Sequence, residues 1–272
     1  MTYRLRRARG LALNKSLHAT SQRVDWRAGI VWLKTVGKPN MDSRMRFTLM
    51  IAALWALLSA VPVQAQNRVV VELYTSQGCS SCPPADALLQ DLAQQRGVIA
   101  LALHVDYWDY IGWKDEFGRP ENAARQRSYA AAGGRRSVYT PQMVIAGEDS
   151  VVGTHPMDVA DLIAKHSRSQ KDVAMKAVRT GEKITIAATA RRPAKYEVKF
   201  VSYANKRTSA IKRGENAGRT ITYVNVVLDY KTVKKWDGRA PLSLAANAGK
   251  GPIVVLIQRA GHGPIEAAAA LN

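Results

Sequence analysis

The chain has 272 residues, 47% of them apolar and 22% charged, with a formal net charge of +19. That is enough apolar material for a real core in one large domain or two modest ones, and it excludes a low-complexity polypeptide. Two cysteines and five scattered histidines give poor support to a structural zinc site, which needs four N or S ligands.

The charge is unevenly spread. Residues 1–65 hold 11 Lys+Arg against 2 Asp+Glu, residues 66–166 hold 9 against 12, and residues 167–272 hold 20 against 7. The break near residue 166 marks an expected domain boundary. Near the start, Arg44 and Arg46 precede Phe47 to Val63, a 17-residue run without charge. It closes on Val63-Gln64-Ala65, with small residues at the two positions that a signal peptidase reads. This predicts a signal peptide over 41–65 with cleavage after Ala65. An uncleaved membrane anchor is the alternative, since the run is just long enough to span, but Pro62 and the cleavage-like end favour removal. Residues 1–40 are Arg-rich and patternless, as expected of a non-native upstream extension if translation begins at Met41 or Met45. The mature chain, about 66–272, would be periplasmic or secreted.

The mature part opens on Val69-Val70-Val71-Glu72-Leu73-Tyr74, a buried-strand pattern. Gly78-Cys79-Ser80-Ser81-Cys82-Pro83-Pro84 follows and holds both cysteines of the chain. Ala85, Leu88, Leu89, Leu92 and Ala93 then share one face at helical spacing. Strand, two-cysteine turn and helix place a thiol at a helix N-terminus, where the dipole and unpaired N–H groups favour thiolate. Pro83 and Pro84 fit the first helical turn, which predicts Ser80 or Ser81 as N-cap and regular helix from about Cys82. In an oxidising compartment the pair could be a structural staple. A staple across two residues restricts the unfolded chain little, so exchange chemistry suits this spacing better.

Val98 to Val105 is a second apolar strand, which makes a βαβ unit with a parallel sheet. It empties into Asp106-Tyr107-Trp108-Asp109-Tyr110-Ile111-Gly112-Trp113 at the edge where the cysteine turn lies. Tyr107 and Trp108 are therefore candidate walls of a site, or else a lid of core-packing residues. His104 reads as a satisfied core histidine. Glu121 to Ala132 is helix-forming and stops at Gly133-Gly134. Val138 to Ile145 is a further strand with Pro141 among its first residues. Gly147-Glu148-Asp149 turns into Val151-Val152-Gly153, and a last helix runs from Met157 to His166 behind a Thr154 or His155 cap.

With Tyr139-Thr140-Pro141-Gln142 opening the third strand, residues 69–166 resemble the thioredoxin/glutaredoxin family, in which a cis proline packs against the disulfide. More closely, Gly-Cys-Ser-Ser-Cys-Pro-Pro-Ala-Asp (78–86) and His-Val-Asp-Tyr-Trp-Asp (104–109) resemble a bacterial secreted family of unknown function with such a domain. Arg-Gly-Glu-Asn-Ala-Gly (213–218) and Tyr-Val-Asn-Val-Val (223–227) extend that likeness. The resemblance implies Cys79 as attacking thiolate, Cys82 as resolving thiol, and Thr140 and Pro141 as a substrate-binding edge. Gly78 stands where thioredoxin has Trp, and Ser80-Ser81 replace Gly-Pro between the cysteines.

Beyond Val173 the pattern changes to short alternating strands, at 183–188, 196–201, 220–227 and 252–257. The expected architecture is thus an α/β thioredoxin-like domain (66–166) followed by a small, mainly antiparallel β-sandwich-like domain (167–272). The basic charge of the latter would sit on solvated outer faces, or meet an anionic envelope surface, rather than nucleic acid. Arg213 to Gly218 reads as a polar turn or as a contact to the cysteine edge. The expected function is exported thiol–disulfide exchange on protein or small thiols through Cys79 and Cys82, with Gly78, Tyr107, Trp108, Thr140 and Pro141 around them. No metal or cofactor is expected. The alternative is a non-enzymatic periplasmic scaffold with a fixed disulfide, or a Cu(I) clamp built on the cysteines with His104 or His155.

Overall fold

β1 (Val69–Thr75) is buried along its whole length, as its unbroken apolar run requires. The computed structural model describes residues 68–272. The signal-peptide and upstream-extension expectations lie outside them. After β1 come α1 (Pro83–Gln94), β2 (Val98–His104), a 3₁₀ turn (Asp109–Ile111), α2 (Pro120–Ala132), β3 (Gln142–Ile145), β4 (Asp149–Val152) and α3 (Pro156–Arg168). The remainder is strand: β5 (Val173–Thr180), β6 (Lys183–Ala190), β7 (Tyr196–Ala210), β8 (Thr220–Trp236), β9 (Leu242–Asn247), β10 (Ile253–Arg259) and β11 (Ile265–Leu271).

Eight strands form one mixed sheet in the order β11-β10-β7-β8-β2-β1-β3-β4, and β5-β6-β9 form a second. β1 and β2 run parallel over seven residue pairs, Val69↔Val98 to Thr75↔His104. The joint between the two halves of the large sheet is β8 beside β2, parallel through Ala102↔Val226. There Asn225, at φ +48°, donates from its amide to the Ala100 carbonyl at 2.9 Å.

Alternation along β1 divides the core. Val69, Val71 and Leu73 pack against Leu89 and Leu92 of α1 and Val159 of α3. Val70 and Tyr74 face the other way, with Ala123 and Tyr129 of α2, Val201 and Tyr203 of β7, and Val254 and Leu256 of β10. The sheet curls back on itself around this second core. Ile265 at the start of β11 donates its N–H to the Ala146 carbonyl just after β3, at 2.8 Å. A third core lies between the small sheet (Val173, Ile184, Ile186, Leu242) and Val198, Phe200, Trp236, Val255 and Ile257 of the large one.

This corrects the expected fold class. Elements appear in the anticipated order up to Arg168, but they do not form an α/β thioredoxin-like unit with a separate sandwich behind it. The protein is mainly β, and β7, β8, β10 and β11 extend the very sheet that carries β1. The physical reason is the outer edge of β2, whose backbone would otherwise be an unpaired template. β8 covers it.

Candidate functional site

Cys79 and Cys82 form a disulfide with their Cα atoms 5.4 Å apart. The turn is built from backbone bonds of the cysteine loop itself: Cys79 N–H to Ser76 O at 3.2 Å, then Cys82 N–H to Cys79 O at 3.2 Å. Both cysteines are buried, at 1% and 0% exposure, while Ser80 and Ser81 between them are exposed.

The helix start differs from expectation. Cys82 is the N-cap of α1, and no side chain caps it. The prolines explain this: Pro83 and Pro84 occupy the first two helical positions and have no N–H for a serine hydroxyl to bind. The next two N–H groups, of Ala85 and Asp86, both bond the Cys82 carbonyl, at 2.9 and 3.0 Å. The N-terminus therefore offers a thiolate its dipole but no unpaired N–H from the first turn, so thiolate stabilisation is weaker than the spacing alone implied.

Directly behind Cys82 lies an acid. Asp86 is 4% exposed, and neither of its carboxyl oxygens has a hydrogen-bond partner of good geometry, although the Thr75 hydroxyl is near enough to pull on its proton equilibrium. Burial pushes its pKa up to about 7 against the pull of nearby His104. One helical turn from Cys82, such a group can hold or release a proton at neutral pH. His104 is fully buried, with Nδ1 2.7 Å from Asp115 Oδ2. Asp115 also accepts the Gln77 N–H at 2.8 Å and the Phe117 N–H at 2.9 Å. Burial would raise the Asp115 pKa, but His104 and these bonds outweigh it and hold the carboxyl below its ordinary range. Tyr223 of β8 packs edge-on to the His104 ring, 4.6 Å between centroids.

The remaining candidate residues collect at the same edge. The Thr140–Pro141 peptide is cis. A Cβ on Gly153 would lie 3.0 Å from Ala85 Cβ and 3.2 Å from Pro141 Cβ, so proline and helix start are neighbours across this glycine. Trp108 donates its indole N–H to Thr140 Oγ1 at 2.7 Å. A Cβ on Gly78 would meet Trp108 Cβ and Ile111 Cδ1, each at 3.2 Å, so this position is tight for any side chain. Tyr107 points away, donating to Gln126 Oε1 at 3.0 Å, and burial pushes its pKa up to about 12. Tyr110, from the same aromatic run, stacks on Trp108 and is 80% exposed.

The sequence left Arg213 to Gly218 undecided, and the structure places it over the cysteines. Asn216, 1% exposed, donates its amide to Gln77 O at 3.0 Å and to Cys79 O at 2.8 Å. Glu215 accepts the Ser80 N–H at 3.1 Å.

Among the described residues, no cluster of three or more His, Cys, Asp or Glu side chains has the geometry to hold a metal ion. His104 Nδ1 is bonded to Asp115 and His155 Nδ1 to Asp158, and the His104 Nε2 is buried without a partner. A cleft of about 690 Å³ between β5 and β11 shares no lining residue with the cysteine edge.

The family described as "Protein of unknown function (DUF1223)" matches residues 70–258. The chain belongs to that family. The crystal structure of a protein from Agrobacterium tumefaciens is similar at 34% identity, with a TM-score of 0.66. The match covers 75% of this chain and 93% of that one. HBP35 of Porphyromonas gingivalis is similar in fold alone, at 14% identity and a TM-score of 0.56, over 76% of this chain and 75% of that one. Among curated proteins nothing matches the chain.

Proposed function

We propose that this protein is an exported thiol–disulfide oxidoreductase working through Cys79 and Cys82. The observation that carries this reading is the disulfide at the start of α1, with Pro141 close to the same helix start across Gly153 and the buried Asp86 one turn on. The Cys-Ser-Ser-Cys motif, which is thioredoxin-like in sequence, and the apolar run ending Val63-Gln64-Ala65 add support for exchange chemistry and for export. In the reducing direction, the Cys79 thiolate attacks one sulfur of a substrate disulfide and expels the other as a thiolate. The Cys82 thiolate then attacks Cys79 Sγ and releases the second substrate thiolate. Two protein thiols are oxidised, one substrate disulfide is reduced, and the protons given up by the cysteines go to the departing thiolates.

The missing N–H groups at Pro83 and Pro84 remove donors that would stabilise a cysteine thiolate. The reduced form is then poorly stabilised, so the pair should be reducing. Equilibrating the mature protein in graded dithiothreitol buffers is expected to give reversible reduction with a midpoint between about −270 and −300 mV, the thioredoxin end of the range. Cys79→Ser should abolish exchange, and Cys82→Ser should trap mixed disulfides. A folded protein that stays oxidised in excess dithiothreitol overturns the proposal. The second reading, a fixed structural disulfide, would then stand, and it is favoured by the burial of both cysteines.

A further inference from the structure

The cysteine loop presents only Ser80 and Ser81 to solvent, and the segment covering it comes from the far half of the chain. That segment, Arg213 to Gly218, joins β7 to β8. Its own base is closed by hairpin bonds, Ile211 N–H to Arg219 O at 2.9 Å and Gly218 N–H to Ile211 O at 2.8 Å. Gly214 and Gly218 bracket the tip in left-handed backbone, at φ +77° and +82°. At Gly214 a Cβ would lie 3.2 Å from Trp113 Cβ, and the Trp113 indole donates to Gln77 Oε1 at 2.7 Å. Between the glycines, Asn216 bonds the carbonyls of Gln77 and Cys79, and Glu215 bonds the Ser80 N–H. Ser80, through its hydroxyl and its N–H, keeps the Glu215 carboxyl below its ordinary range.

We propose that Arg213–Gly218 is a specificity strap, which limits exchange at Cys79–Cys82 to small-molecule thiols and disulfides and excludes those of folded proteins. This rests on the oxidoreductase reading. Exchange requires a thiolate to approach a sulfur along the S–S axis. With both cysteines almost fully covered, a slender thiol can reach them through a small displacement, whereas a thiol on a protein surface brings neighbouring backbone that meets the strap. The closed position is also held at a cost. Asn216 Oδ1 and Gln77 Nε2 are buried without partners, and an unsatisfied buried polar group is unfavourable. A strap held by a few hydrogen bonds against that cost opens without unfolding the sheet.

The test compares the rates at which the reduced protein reduces a small disulfide, oxidised glutathione, and a protein disulfide, that of insulin. The wild type is expected to favour oxidised glutathione by at least about a hundredfold. In a Glu215→Ala/Asn216→Ala variant that ratio should fall at least tenfold. Should loss of Asn216 compromise folding, Glu215→Ala alone, at an exposed position, should lower the ratio about threefold. An unchanged ratio in folded variants that still react overturns the strap and leaves the oxidoreductase reading intact. Failure of the dithiothreitol-treated protein to reduce either disulfide, in every variant, overturns the two together.

Discussion

Replacing Glu72 with Ala is expected to destabilise the protein by about 3–5 kcal/mol, the usual cost of removing one partner of a buried ion pair. Glu72 is fully buried in β1 and is met by Arg125 of α2, Nε to Oε1 at 2.9 Å and Nη2 to Oε2 at 3.2 Å. Tyr129 donates its hydroxyl to Glu72 at 2.7 Å and accepts from Arg125 and from Gln258 of β10. The guanidinium also lies over the Tyr230 ring of β8, 3.9 Å from its centroid. Burial alone would lower the Arg125 pKa, but the Glu72 carboxylate more than offsets it, and the guanidinium stays charged. This network ties β1, α2, β8 and β10 together inside the curled sheet. Leaving Arg125 uncompensated there would remove a large share of a typical 5–15 kcal/mol. Urea unfolding measures it. A paired Glu72→Leu/Arg125→Met change should recover most of the loss, because apolar packing can replace a buried pair. A Glu72→Ala cost under about 1 kcal/mol would mean that water reaches the arginine.

The second large effect concerns pH. Asp86 has a raised pKa in the folded protein, about 7 against an ordinary 3.8. The folded state therefore holds this proton more tightly than the unfolded chain does. Stability from this group is full below about pH 4 and is lost as pH rises through about 7. Three pKa units correspond to roughly 4 kcal/mol, an upper figure because neighbours can relax. Asp86→Asn should thus leave stability near pH 4 unchanged and raise it by about 2–4 kcal/mol at pH 8. Denaturant titrations of both proteins across that range decide it. Asp115 works in the opposite sense: its lowered pKa stabilises the fold above about pH 4 and is lost on acidification, outside the Asp86 window. Equal pH dependence in wild type and Asp86→Asn would place the titration elsewhere.

Both groups left a trace in the sequence. Glu72 is the one charge in an apolar strand run, a position where a carboxylate needs a buried partner. Asp86 sits three residues before Leu89, on the face that α1 buries, and an acid there must lose either solvent or its charge. Their partners left none. Arg125 lies 53 residues from Glu72 and Gln258 another 133 beyond, with no local pattern linking them. Asn216 is 137 residues from Cys79, inside a stretch that reads equally well as a solvated turn.

What the sequence by itself determined is local. A run of β-branched residues makes β1, paired cysteines before two prolines fix a turn and a helix start, and Thr140-Pro141 opens β3. Such features depend on φ/ψ preference and side-chain periodicity within a few residues. Only the tertiary structure decided that β8 lies beside β2, which turned two expected domains' worth of strands into one curled sheet. Backbone hydrogen bonds join strand edges almost regardless of side-chain identity, so alternation reveals which face is buried and not which strand is next. The same holds at the cysteines. Their spacing belongs to the chain, but the bonds from Asn216 and Glu215 to the backbone of their loop come from the β7–β8 connection, more than 130 residues away.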